Sequence, residues 1–486
     1  MDIISRLQKQ FKIEFGGQII SVFSGAILTV VLTQVLSADE YGTLFLTISL
    51  LGIIKIFSRL GIDKSTSRYI TKYKETQPDQ VPYVLRFGTR LSLITILFTC
   101  VGVLFTRQSI ARILNEPRLD RLLLVGILFI IFSTLSIFAR IILQGFENIE
   151  AGAVLQSVDR GTRLVFVLGF VLLGYGSLGA LFGYIIASAI AAIIGMGYIH
   201  SKYYETPKDT MQAGLRRKIA EYMVPLTVTS SANVIDKKVD TVLVGFFLNP
   251  TAVAYYTLSK QVVTFIQAPM SAMGFTLSPV FEAENAKGNG QTAARIYERA
   301  LVSALLFYIP AAAGLALIAE PLVNLVFGDE YSGAVPVIQV MAGYAVVLSI
   351  AILTSNSLDY LGRARDRAIL KGVTSILNAI FNIILIPRIG VVGAAFSTVI
   401  TFAMFTMGTV YVMSLEFDLR VLWILNQTLY IIIVTIIMSL SVFTVTMYVS
   451  GYISLILVIC LGVLIWISFS SLFGLINLND VFKLFR

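Results

Sequence analysis

The chain has 486 residues, 57% of them hydrophobic and only 13% charged, with a mean hydropathy of +0.84. Soluble domains carry about 25% charged residues, so this composition excludes a soluble globular protein: too few charges would cover too much apolar surface. The net charge of +9 does not indicate nucleic acid, because the basic residues fall in short clusters between apolar runs, as in membrane topology, rather than in a basic domain.

The opening residues MDIISRLQKQFK place Ile4, Leu7 and Phe11 on one helical side, with Arg6, Lys9 and Lys12 among the rest. They read as a short interfacial helix leading into the first span, not as a cleavable signal. A membrane helix needs roughly 20 mostly apolar residues. About 14 stretches qualify, near 14–37, 41–62, 83–105, 121–144, 152–174, 177–200, 221–248, 254–281, 296–318, 334–357, 367–387, 391–414, 421–448 and 451–474. Short turns such as ADE, YGS and RIG leave no room for a soluble domain. The expected fold class is an all-α, polytopic membrane protein.

In chain order, the first span carries a small-residue stripe, Gly17, Ser21, Gly25 and Thr29, which suits close helix packing. The second holds Lys55 and Arg59 at i,i+4, and the third Arg86 and Arg90 at the same spacing. Arg140 ends the fourth; Asp159, Arg160 and Arg163 enter the fifth. Near a helix end the simple reading of such residues is snorkelling to headgroups, but Lys55 sits about two turns in.

The seventh span contains NVIDKKVDTVLVGFFL, where Asn233, Lys237 and Asp240 share a face with Asp236 one position round. A charge at the bilayer centre costs about 2.5–3.5 kcal/mol or more. The cluster is therefore either a tolerated ion pair or a cavity-lining site for an anionic headgroup or a coupling cation. The eighth span brings Lys260 and is interrupted by Pro269, Gly274 and Pro279, which suits either a fixed kink or a gate.

Several apparent motifs carry no chemistry. GYGSLG (174–179) matches a dinucleotide pattern but joins two spans with no preceding strand. Cys100 and Cys460 lie in separate spans, and His200 has no metal-ligand company. NQT at 426–428 is a sequon within or beside a span, and no nucleophile–base constellation is visible. No cofactor or metal is expected, with Na⁺ or H⁺ coupling left open.

With the N-terminus inside, the cytoplasmic segments and termini hold about 20 Lys and Arg against about four in the opposite loops, matching the positive-inside rule. The exception is TRQSIARILNEPRLDR (106–121), basic yet expected outside. An internal repeat is also present: GSLGALF (176–182) matches GVVGAAF (390–396) at an offset of 214, which also aligns Thr43-Leu44 with Thr257-Leu258. Six helices per repeat returns the chain to the same side, so the halves are parallel repeats. The expected organisation is a six-helix lobe over 1–200, a cytoplasmic linker over 201–220, a second six-helix lobe over 221–414, and two additional helices with a short tail over 415–486.

LSADEYGTLFLTISL followed by LGIDKSTSRYI resembles the start of polysaccharide flippases, the polysaccharide-transporter branch of the multidrug/oligosaccharidyl-lipid/polysaccharide superfamily. LNPTAVAYYTLSKQV and GVVGAAFSTVI look like further family features, and the resemblance covers nearly the whole chain, including the 12+2 helix count. It implies a central cavity between the first, second, seventh and eighth helices. It also implies alternating access that moves a lipid-phosphate- or lipid-pyrophosphate-linked oligosaccharide between leaflets. The cationic lining would fall to Lys55, Arg59, Lys237 and Lys260, with Asn233 beside them, ion coupling or ion pairing to Asp236 and Asp240, and a hinge to Pro269 and Gly274. The expected setting is the plasma membrane with both termini cytoplasmic. A monomer working among membrane lipids, and in company with glycan-assembly enzymes, is expected. A drug/cation antiporter of the same fold is the alternative, and would favour an acidic, aromatic cavity. A membrane glycosyltransferase or polymerase would need a larger loop than the roughly 20 residues available.

Overall fold

The structure, a computed structural model, describes residues 22–204, 212, 214–270, 287 and 289–475, and no strand occurs among them. Gly17, Ser21, Gly274 and Pro279 lie outside the described residues. The chain divides into two compact units, Met1–Val253 and Ala254–Arg486.

The first unit contains α1 (Val22–Val35), α2 (Ala38–Arg59), α3 (Ile62–Thr76), α4 (Val81–Ile113), α5 (Arg118–Gly145), α6 (Ile149–Leu172), α7 (Gly176–Tyr203) and α8 (Leu215–Phe247). The start of α2 is set by the SADE sequence: Ser37 accepts a hydrogen bond from the Glu40 backbone N–H at 3.2 Å, with Asp39 and Glu40 in the first turn. Helix α5 packs against α2, α3, α4, α6 and α7 and forms the middle of the unit. Near the α3 end its Phe138, Ile142 and Leu143 bury against Ile70, Val84 and Leu85.

Helix α8 belongs to this unit because it runs antiparallel along α2 and α3. The Leu46 side chain of α2 abuts Gly245, Gly52 meets Lys238, and Gly61 meets Met223 and Leu226. Rising numbers on one helix meet falling numbers on the other. The two helices thus cross in opposite directions, as alternating second and seventh spans require.

The second unit begins after the first turn of α9 (Pro250–Ile266) and continues with α10 (Gly290–Leu322), α11 (Val335–Tyr360), α12 (Ala364–Ile389), α13 (Val391–Glu416), α14 (Val421–Thr446) and α15 (Tyr452–Leu472). Helices α11 and α12 flank α13, whereas the additional pair α14 and α15 packs onto α10. Within α12, Asn382 donates to Asn378 at 3.0 Å, and Asn378 donates across to Thr401 of α13 at 3.2 Å, all three buried. A bond of the second kind joins membrane helices at about 1 kcal/mol.

Ten described helical segments are long and apolar enough to cross a membrane. Helices α6 and α8 fall outside that set because they carry the clusters 159–163 and 236–240, and the first and eighth expected spans extend beyond the described residues. The count of 14 therefore rests on the sequence.

The repeat extends to element level. Moved by 214 positions, the starts of α5, α6 and α7 fall at 332, 363 and 390, and α11, α12 and α13 begin at 335, 364 and 391. The matching motifs have a shared physical cause. Gly176 (φ 56°) and Gly390 (φ 66°) both turn the chain through the left-handed region. The next glycine of each motif, Gly179 or Gly393, lies so close to the preceding helix that a Cβ would stand 3.1 Å from the Phe170 Cβ or 2.5 Å from the Leu385 carbonyl oxygen.

Candidate functional site

The first unit holds a cavity of about 200 Å³ between α2, the start of α3, and α8. From α2 it takes Gly52, Lys55, Ile56 and Arg59, spaced i, i+3, i+4 and i+7 along one helical stripe. From α8 it takes Thr227, Ser230, Ser231, Val234 and Lys238, also on one face. The site is thus a cationic stripe facing a mostly hydroxyl-bearing one, closed at one end by the α2–α3 junction.

Lys55 donates to the Ser133 hydroxyl at 3.3 Å and lies 4.9 Å over the Phe129 ring, so α5 fixes its ammonium from behind. The stem of Lys238 passes over Gly52, where a Cβ would be 3.7 Å from its Cγ and Cε. Arg59 donates through Nε to Asp63 at 3.0 Å and pairs with the same carboxylate through its terminal nitrogen. Asp63 also accepts the Lys64 backbone N–H at 2.8 Å. On α6, Arg163 pairs with Asp159 and stacks 4.8 Å over Tyr184, and both charges act on Lys55. Four cations (Lys55, Arg59, Arg163, Lys238) and two carboxylates (Asp63, Asp159) leave this region net positive. Phosphate suits such a site, because guanidinium groups bind it through two bonds and ammonium groups act as point charges.

The structure brings Lys55 and Arg59 together, and the α8 cation beside them is Lys238. Lys237, one residue earlier and about 100° round the helix, is exposed and does not line the cavity, nor does the exposed Asn233. Asp236 is half-buried and Asp240 is buried. Lys260, in the second unit, lies 5.1 Å over the Tyr256 ring.

The helix break near Pro269 has its own support. Tyr308 of α10 donates its hydroxyl to the Ile266 carbonyl at 3.0 Å and accepts from the Met270 N–H at 3.1 Å. One phenol thereby satisfies backbone groups on both sides of the interruption, as a break at membrane depth requires.

The basic hairpin 106–121 is also resolved by pairing. Arg107 meets Asp120 at 2.8 Å, and Arg118 meets Glu116 at 2.6 Å and Asp39 at 2.5 Å. Asp39 opens α2, so the hairpin sits at the opposite end of α2 from the basic helix α3.

Sequence reasoning missed Lys238, Asp63 and the hydroxyl face of α8. The recurrence of polar residues at 227, 230, 231 and 238, on one helical face, was the available signal.

Fold and site together define a many-helix membrane transporter with a cationic pocket in its first unit. The chain belongs to the polysaccharide biosynthesis protein family, whose model matches residues 9–286, and the MatE model matches residues 225–384. An uncharacterised membrane protein of Methanocaldococcus jannaschii is 25% identical over 393 residues, 76% of this chain and 77% of its own. A probable low-salt glycan biosynthesis flippase of Haloferax volcanii is 24% identical, with 76% of each chain covered. Among solved structures, the lipid II flippase MurJ matches with a TM-score of 0.76 at 17% identity, covering 96% of this chain and 98% of that one. An inward-facing multidrug resistance transporter of the MATE family matches at 0.70 and 15% identity, covering 81% and 94%. At these identities the structural likenesses establish the shared fold.

Proposed function

We propose that this protein flips a lipid-phosphate- or lipid-pyrophosphate-linked oligosaccharide from the cytoplasmic to the outer leaflet, by alternating access, for cell-surface glycan assembly. The observation that carries the reading is the pocket of the first unit, where Lys55, Arg59 and Lys238 gather inside a segment otherwise fit for hydrocarbon. A phosphate headgroup needs such a wet, cationic route, while the lipid tail can remain in the bilayer. The flippase relative and the polysaccharide family support the same reading. The role is transport rather than catalysis. The setting is the plasma membrane, with both termini cytoplasmic, and the working form is a monomer in contact with glycan-assembly enzymes.

Asn233, Lys237 and Lys260 are proposed to line the substrate route outside this pocket. Asp236 and Asp240 are proposed as the Na⁺ or H⁺ coupling pair, and Pro269 with Gly274 as the hinge. The 214-residue repeat supports two six-helix lobes, 1–200 and 221–414, joined by 201–220 and followed by the added helices of 415–486. The MatE match over 225–384, which includes both aspartates, favours one second reading, a cation-coupled antiporter.

The test is flipping in proteoliposomes, read by leaflet accessibility of a fluorescent polyprenyl-pyrophosphate glycan. Lys55→Glu, Lys237→Glu and Lys238→Glu are each expected to lower the rate about a hundredfold or more while inserting normally, since charge reversal next to a phosphate costs several kcal/mol. Wild-type rates in the Lys55 and Lys238 variants would overturn the reading.

A further inference from the structure

The cationic pocket contains an anion of its own. Arg59 and Asp63 are four residues apart, yet they do not share one helix. Helix α2 ends between them at Leu60 and Gly61, both at positive φ (39° and 65°), and the first turn of α3 carries the carboxylate back onto the last-turn arginine. A Cβ at Gly61 would lie 2.9 Å from the Met223 carbonyl oxygen and from the Leu226 Cβ, so α8 presses directly on this reversal. The Asp63 side chain is 5% exposed, and Arg59 is 26% exposed toward the cavity. Asp63 is the one carboxylate among the described lining residues.

We propose that Asp63 is a built-in competitor for the substrate phosphate: it holds Arg59 while no headgroup is bound and yields it when a phosphate or pyrophosphate enters. This rests on the reading that the pocket takes the phosphate of the headgroup. The guanidinium edge that Asp63 occupies is closed to a second oxyanion, and a second oxyanion brought alongside is repelled by the carboxylate. The competition weakens headgroup binding, which a transporter requires, since a ligand must bind well enough to enter and loosely enough to leave. Asp63 in this role sets affinity by positioning Arg59. If the pair served only to pin the α2–α3 junction, its removal would lower stability without raising anion affinity.

The experiment uses the full chain in lipid nanodiscs, with inorganic pyrophosphate titrated by calorimetry and thermal unfolding measured separately. Asp63→Asn keeps the shape and an acceptor for the Lys64 N–H while removing the charge. It is expected to bind pyrophosphate about tenfold more tightly than the wild type, whereas Lys55→Gln binds more weakly. Affinity in Asp63→Asn that equals or falls below wild type, with Lys55→Gln still weakened, overturns the competitor role alone. Absence of pyrophosphate binding in both wild type and Asp63→Asn overturns this role and the pocket reading together. Should Asp63→Asn fail to fold, Asp63→Ser, which keeps a hydroxyl acceptor for the Lys64 N–H and also lacks the charge, takes its place. It is expected to bind several-fold more tightly than the wild type, and equal or weaker binding contradicts the proposal.

Discussion

Lys238 shows how finely a single position decides what a charged helix does. Its stem crosses α2 at Gly52, and this crossing carries its ammonium to the cavity shared with Lys55 and Arg59. Alanine fits at position 52, because the added Cβ would meet only ordinary van der Waals contact. Leucine would drive the stem of Lys238 aside. Gly52→Ala is therefore expected to retain flipping within about threefold, and Gly52→Leu to lose most of it, since overpacking of a tight contact typically costs about 1–3 kcal/mol. Equal rates in the two variants, measured in proteoliposomes, would show that the crossing does not position Lys238. Of this site, the sequence made Lys55 and Arg59 legible, because a stripe of cations two turns into an apolar helix stands out. The rotational phase of α8 was not legible. Charges at 236, 237, 238 and 240 surround the helix, so apolar periodicity supplies no reference direction there. Asp63 was obscured for another reason: it opens a basic stretch that follows an apolar span, and the chain reversal at Leu60–Gly61 that aims it into the pocket has no apolar periodicity to announce it.

Elements are held by a few buried polar connections. The clearest is Glu298 of α10, whose side chain has no exposure. It accepts the Arg420 backbone N–H at 2.7 Å, both the Nε and a terminal nitrogen of Arg420 at 2.9 and 2.7 Å, and Arg295 at 2.5 Å. Arg420 belongs to the link between α13 and α14, so this carboxylate fastens the additional helix pair to α10 from one end. Trp466 of α15 fastens it again, donating to the Leu306 carbonyl at 3.1 Å. Removing the partner of a buried charge costs about 3–5 kcal/mol, and the partial exposure of both arginines places Glu298→Ala at about the lower end of that range. Its midpoint of thermal unfolding in detergent is expected to fall by several degrees, with Arg295→Ala affected less. An unchanged midpoint for Glu298→Ala would remove the carboxylate from this role. At this scale the sequence was informative where the repeat was informative: Gly176 and Gly390 mark equivalent turns because both adopt positive φ. Tyr308, which bonds both sides of the break near Pro269, had no sequence signature because it comes from another helix.

Across the whole molecule, charge is sorted by depth and side. The exposed face of α3 carries Lys64, Arg68 and Lys72, whereas at the other end of α2 the arginines of the 106–121 hairpin meet Asp39, Glu116 and Asp120. Within the apolar spans of the first unit, Lys55, Arg59 and Lys238 meet at one pocket, while Arg86 and Arg90 of α4 and Arg140 of α5 lie outside its lining. A pocket of this kind is intelligible if the charge on the substrate must be accommodated while its tail is not. The central claim is thus that phosphate recognition drives the passage of the headgroup. The most direct measurement is leaflet accessibility in proteoliposomes containing the wild-type chain, comparing one fluorescent glycan on a polyprenyl pyrophosphate with the same glycan on an uncharged polyprenyl ether. The account predicts protein-dependent flipping of the pyrophosphate-linked glycan, at least about tenfold faster than that of the ether, and inhibition by added pyrophosphate. Equal rates for the two lipids would contradict it.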